Sequence, residues 1–179
     1  MSGCTGLVGL VITLRSDWVC HDDMSVVLRL LMPANALVME LCLCTGLRVG
    51  DALALETDAL LKGQRISVLE HKTGKRKRIY VNKNLHSRLL AQAGVVFVFP
   101  GALDPEHRHR TRQAVWADVK RASKALRLDV QCSPHSARKV YAVDYYRKHG
   151  LAATQAALNH DRPETTLVYL MSELLANPP

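Results

Sequence analysis

Six side chains in this sequence have the types needed for exchange of a phosphodiester through an enzyme tyrosine: Arg48, Lys72, His135, Arg138, His160 and Tyr169. The phenol of Tyr169 can serve as the nucleophile. Negative charge then builds on the non-bridging phosphate oxygens. The guanidiniums of Arg48 and Arg138 suit those oxygens, because they bind in a two-pronged way and stay charged at any working pH. The leaving oxygen needs a proton, and Lys72 is the candidate acid. His135 and His160 can accept protons or hold phosphate oxygens, since imidazole titrates near neutrality. The carboxylates do not cluster as a magnesium site would require, so neither metal nor cofactor is expected.

The contexts of these residues say which elements must hold them. Arg48 lies in CTGLRVGDALAL (44–55), on a tight turn between an apolar helix opened by Pro33 (34–43) and a second helix beginning near Gly50-Asp51. Lys72 lies in HKTGK (71–75) at the tip of a hairpin, between Arg65–Glu70 and Lys77–Val81, which alternate polar and apolar. Lys77 and Arg78 read there as charged guards of a strand edge. Val95–Phe99 reads as a short buried third strand. Asn84 is expected to cap a helix running to Gln92, and Thr111 one running from Arg112 to Leu126. Ser133-Pro134 opens another helix, whose first turns place His135 and Arg138 on one face near its positive end. That helix should end near His149-Gly150, with a further one over 151–158. Pro163 starts the last helix, which carries Tyr169. A stretch over 22–31 is also helical in pattern, with Asp22 or Asp23 at its start.

Each of these residues also has a plainer reading. Arg48 taken singly fits a surface loop, and His135 with Arg138 fits a capping histidine beside a surface arginine. Tyr141, Tyr145 and Tyr146 read as amphipathic core filler. His107 and His109 lack a further metal ligand nearby, so their loop reads as facing phosphate.

Bulk properties agree with an anionic polymer as partner. The 179 residues suffice for one core. The net charge is +8 and the pI about 9.5. Hydrophobic residues make up 48%, ordinary for a globular domain in water. The apolar run over 4–14 is too short to cross a bilayer and lacks a leader's basic start, so no membrane partner and a cytoplasmic setting are expected. Five cysteines, an odd number, read as reduced core thiols.

In this order and these contexts, the six residues resemble the catalytic domain of the tyrosine recombinases, the phage integrase family. The resemblance covers about residues 34–175, leaving 1–33 as a lead segment from a possible upstream domain and 176–179 as a tail. It implies an α+β fold, mostly α-helical with a small three-stranded antiparallel sheet. It implies a site-specific recombinase or integrase of phage or mobile-element type, acting on double-stranded DNA with other protomers in a tetrameric synapse. Arg48 and Arg138 would bind the scissile phosphate, Lys72 protonate the leaving 5′ oxygen, His135 and His160 assist, and Tyr169 form a 3′-phosphotyrosine. Asp51 would buttress Arg48. Lys75, Arg76, Arg110 and Arg112 would contact the DNA backbone. The family's L-G-H reads Leu158-Asn159-His160 here, so Asn159 is expected to take a left-handed turn. Its H-x-L-R-H reads His135-Ser-Ala-Arg138-Lys139. The short flanks suggest a catalytic domain alone, monomeric without DNA. Other readings stay open: a DNA-binding module that does no strand exchange, a type IB topoisomerase-like relaxing enzyme, and a metal-free ribonuclease using the two histidines.

Overall fold

The computed structural model describes residues 19–128 and 132–176, with side chains through residue 171. The apolar run over 4–14 lies outside the described residues. Helix α1 (His21–Leu30) starts at Cys20, whose sulfur accepts from the Asp23 N–H at 3.4 Å. Helix α2 (Pro33–Thr45) has proline at its first turn and stops at Gly46, in the left-handed conformation at φ 64°. A Cβ at Gly46 would collide with the Tyr141 ring, so that turn needs glycine on two counts. Helix α3 (Val49–Leu53) follows at once, with Arg48 as its N-cap. A short α4 (Thr57–Leu61), not expected from sequence, leads into the hairpin β1 (Arg65–Leu69) and β2 (Arg76–Tyr80). The strands are antiparallel, with Val68 opposite Lys77.

The second half is helical. Helices α5 (Lys83–Gln92), α6 (Arg112–Ala125), α7 (Pro134–Ala157) and α8 (Pro163–Ala176) complete the described fold. Helix α2 sits at its centre, packed against α1, α3, α5, α6 and α7, while α8 packs on α7. Leu37, Val38, Met39, Leu41 and Cys42 are buried along α2, each large aliphatic contributing about 1.5–3 kcal/mol. Thr111 caps α6 by accepting from the Ala114 N–H. Ser133 and Ser136 form a reciprocal capping box at the start of α7. Gly150, at φ 77° and ψ 178°, kinks α7 where the sequence suggests one helix ending and another starting. Asn159 is left-handed at φ 52°, as its position predicts.

Several expectations are corrected. The sheet has two strands, not three. Gly94 donates back to the Phe97 carbonyl, which bends the 95–99 run, and only Phe97 bridges to Glu56. Val98 and Phe99 are buried, but Val95 is 82% exposed. The cap of α5 is Asn82, accepting from the Leu85 N–H at 2.9 Å, rather than Asn84. Cys42 and Cys132 are buried, but Cys44 is exposed. Lys77 is no solvent guard: it is 7% exposed. Among the described residues, no helix is long and apolar enough to cross a membrane.

Candidate active site

The α2–α3 turn, the hairpin, the start of α7, the α7–α8 turn and the middle of α8 converge, and they bring the six sequence-predicted residues together. Arg138, on the second turn of α7, is 1% exposed. Its Nη1 donates to the Gly46 carbonyl and its Nη2 to the Leu158 carbonyl at 2.7 Å. The same Nη2 lies 3.3 Å from His160 Nε2. Arg48 approaches from the α2–α3 turn, where its Nη1 lies 3.0 Å from Glu70 Oε1. That is a charge contact rather than an aligned hydrogen bond. Arg48 Nη1 and Arg138 Nε are both buried with no hydrogen-bond partner. Unpaired buried donors are unfavourable, and an oxyanion would satisfy them.

Tyr169 reaches this pair from α8. Its hydroxyl lies 2.6 Å from His135 Nε2. Its ring meets those of His135 and His160 edge-on, at centroid distances of 5.3 and 5.4 Å. Burial raises the Tyr169 pKa, while Arg138 and Arg48 oppose that rise. The outer edge of His135 meets solvent, yet protein crowds the ring. That burial, then the cations Arg138 and Lys139, hold its pKa down at about 4. Burial and then Arg138 do the same to His160, again to about 4. Both imidazoles are therefore neutral near pH 7. His160 Nδ1 is 2.9 Å from the Thr166 hydroxyl. With Nδ1 protonated and donating there, Nε2 is left to accept from Arg138. Lys72 stands on the hairpin turn and lines one cavity of about 640 Å³ with Arg48, His135 and Arg138.

Glu70 is the main residue that sequence reading passed over. Its carboxylate is completely covered and lies between Arg48 and Arg138, 3.8 Å from the latter. Thr73 Oγ1 and Asn159 Nδ2 donate to it at 3.0 and 3.2 Å. Burial pushes its pKa up, but Arg48, these two hydrogen bonds and Arg138 outweigh that and hold it below the usual carboxylate range. Asp51 is a weaker buttress than expected. It stands 4.0 Å from Arg48, and its Oδ1 accepts from the His71 N–H at 3.0 Å. Lys77 also faces inward, its Nζ donating to the Thr45 carbonyl at 2.7 Å. Burial and then Arg138 lower its pKa to about 7. The strand alternation carried the signal for both residues, since Glu70 continues the inward phase of Ile66 and Val68, and Lys77 that of Ile79.

The four expected backbone contacts are spread out. Arg112 lines the cavity, while Lys75, Arg76 and Arg110 do not. Lys75 is ion-paired with Asp161. Arg76 borders a separate cleft with Cys44, Tyr141 and Asn159. Arg110 is half-buried, with an unpaired Nε. His107 is tied to Asp104, and His109 rather than His107 reaches the cavity.

A tyrosine hydroxyl on a neutral imidazole, beside two guanidiniums with unpaired donors, suits attack on a phosphodiester. Residues 24–174 match the Phage integrase family. The integrase of Escherichia phage P2 is 26% identical over 156 residues, covering 87% of this chain and 43% of that protein. A lambda integrase dimer bound to a COC′ core site superposes with a TM-score of 0.76 at 19% identity, over 89% of this chain and 49% of that one. The XerH site-specific recombinase bound to a palindromic difH substrate, in a post-cleavage complex, gives a TM-score of 0.70 at 19% identity, over 85% and 48%. The chain thus spans less than half the length of the curated relative and about half that of these solved structures. With most of its length matched, the chain belongs to the phage integrase family, the tyrosine recombinases.

Proposed function

We propose that this chain breaks and rejoins DNA at a specific site through a covalent 3′-phosphotyrosine. Residues 34–175 would be the catalytic unit. The observation that carries the reading is the Tyr169 hydroxyl, 2.6 Å from a neutral His135 and beside the buried Arg138. In the forward step the Tyr169 oxygen bonds to phosphorus, and its proton passes to His135 Nε2. Arg48 and Arg138 hold the non-bridging oxygens and neutralise the charge gathering there. The bond to the 5′ oxygen breaks, and that oxygen takes a proton from Lys72 Nζ. A 5′ hydroxyl from another strand then reverses the sequence and releases the tyrosine. Glu70 fixes the two guanidiniums relative to each other, and His160 with Thr166 steadies Arg138 from the far side.

The related lambda integrase has been solved as a tetramer bound to a Holliday junction, and a comparable assembly of this chain on double-stranded DNA follows from the reading. Its setting would be the cytosol, on DNA. The test is trapping of a covalent adduct on nicked duplexes carrying the DNA that flanks the gene. Tyr169→Phe should yield no adduct while still binding the duplex, because the ring still packs and only the nucleophile is gone. Adducts with the phenylalanine variant would overturn the assignment and point to another tyrosine, such as Tyr141.

A further inference from the structure

We propose that the cavity beside the two guanidiniums seats two neighbouring backbone phosphates of one strand, the second held by His109 and Arg112. The inference rests on the phosphodiester reading of Arg48 and Arg138. It begins with charge. Arg48, Lys72, Arg112 and Arg138 all line this one cavity. The carboxylates beside them are Asp51, in its wall, and Glu70, behind Arg48. These four cations against Asp51 and Glu70, with Lys77 beside Glu70 in addition, leave at least two positive charges in excess. One phosphodiester brings a single negative charge, so a second is needed for balance. The volume of about 640 Å³ also exceeds what one phosphate group fills.

The second seat is built rather than merely basic. His109 is fixed on three sides. Its Nδ1 lies 2.8 Å from the Arg110 carbonyl, to which it donates, so Nε2 is the nitrogen left over. Its ring stands edge-on to Phe97 at 5.5 Å and 85°. Its backbone bridges to Pro100, while Arg110 N–H donates to the Phe99 carbonyl at 2.7 Å. Arg112 opens α6 just after the Thr111 cap. Its stem passes over Gly50, where a Cβ would sit 3.5 Å from its Cδ. Among the described residues it pairs with no carboxylate, and the first turn of α6 holds no acidic residue. A guanidinium and an imidazole thus line the cavity that Arg48 and Arg138 also line. A phosphate oxygen would lie between the His109 ring edge and the Arg112 fork, an imidazolium being a donor at both nitrogens.

Adjacent phosphates of a strand are joined by one nucleoside, which gives a minimal probe. Thymidine 3′,5′-bisphosphate and thymidine 3′-phosphate are titrated calorimetrically into the protein at pH 6. The bisphosphate should bind about tenfold tighter, as one added charge-assisted contact implies. His109→Gln and Arg112→Ala should each reduce that ratio, and together abolish it, in protein that circular dichroism shows to be folded. Lys120→Ala, an equal change of charge two turns further along α6, should leave the ratio intact. Equal affinity for the two ligands, or a ratio that survives the double variant or falls equally with Lys120→Ala, would overturn the second seat. Arg48→Ala separates the two readings. If it leaves monophosphate binding untouched, the phosphate clamp fails and the second seat with it. If it abolishes that binding while the wild type shows no preference for the bisphosphate, the second seat alone fails.

Discussion

Replacing Glu70 by glutamine keeps the shape of the side chain and removes its charge. The carboxylate is fully covered and lies 3.0 Å from Arg48 and 3.8 Å from Arg138. The protein layer over it is thin, so an effective dielectric of about 20 is appropriate, and the gross attractions are about 5 and about 4 kcal/mol. Desolvation offsets most of this while the cluster is intact. Without the anion, two guanidiniums remain together uncompensated, and breaking such a group is unfavourable by about 3 kcal/mol. In a chain of this size that lowers Tm by roughly 6–12 °C. The pH dependence carries a sign. The folded pKa of Glu70 lies below its ordinary 4.5, so its stabilisation is complete above that value and is lost as pH falls through the folded pKa. Urea unfolding of wild type and Glu70→Gln should therefore differ fully at pH 7 and converge only as pH falls below 4.5 and through the folded pKa. Charge alone would make the variant bind phosphate more tightly. Loss of geometry should instead make it cleave DNA more slowly. A variant as stable as wild type at pH 7, or a gap that stays constant into acid, would refute the bracing role.

Cleavage should persist on acidification past the ordinary histidine value of 6.5 and fall only as pH approaches 4, because burial and cations keep His135 neutral. A pH–rate profile in single turnover checks this, and an acid limb at 6.5 would count against His135 as the base. Arg48→Lys and Arg138→Lys should each lose most adduct formation, since lysine keeps the charge but not the two-pronged geometry; chelators should leave the wild-type rate unchanged in the same gel assay. DNA affinity, read by fluorescence anisotropy, should fall by about two to three decades between 50 and 200 mM salt if roughly four to six phosphates are neutralised; a shallow slope would mean that base contacts dominate.

Much of the scaffold was legible because its ends are marked by residues with one local purpose. Pro33, Gly46, Ser133-Pro134 and Pro163 set helix boundaries through φ restriction, left-handed geometry and capping, none of which depends on distant contacts. The 95–99 run misled because apolar composition cannot tell a strand from a bent loop with two buried residues at one end. Asn82 and Asn84 offer the same capping chemistry, and only the chain's direction out of β2 selects the first. The site residues were visible as types in order, but their mutual distances were not. Glu70 went unread, and Lys77 was read as a solvated guard, for a different reason. Their strand phase pointed inward, yet charged residues are so commonly solvated that composition outweighed periodicity.

The pairing of β1 with β2 also bears on folding fidelity. Inward positions along both strands carry Ile66, Val68 and Ile79 for the core, and the same phase continues to Glu70 and Lys77 at the site. A slip of one residue would turn one strand over against the other. With β1 turned, Leu69 would stand where Glu70 braces the guanidiniums, and Ile66 and Val68 would leave the core. A chain whose hairpin pairs in the wrong register therefore loses core packing and the phosphate clamp in the same event. For a protein whose proposed chemistry is cutting DNA, that linkage disarms misfolded molecules: those able to open a strand are those folded well enough to close it again.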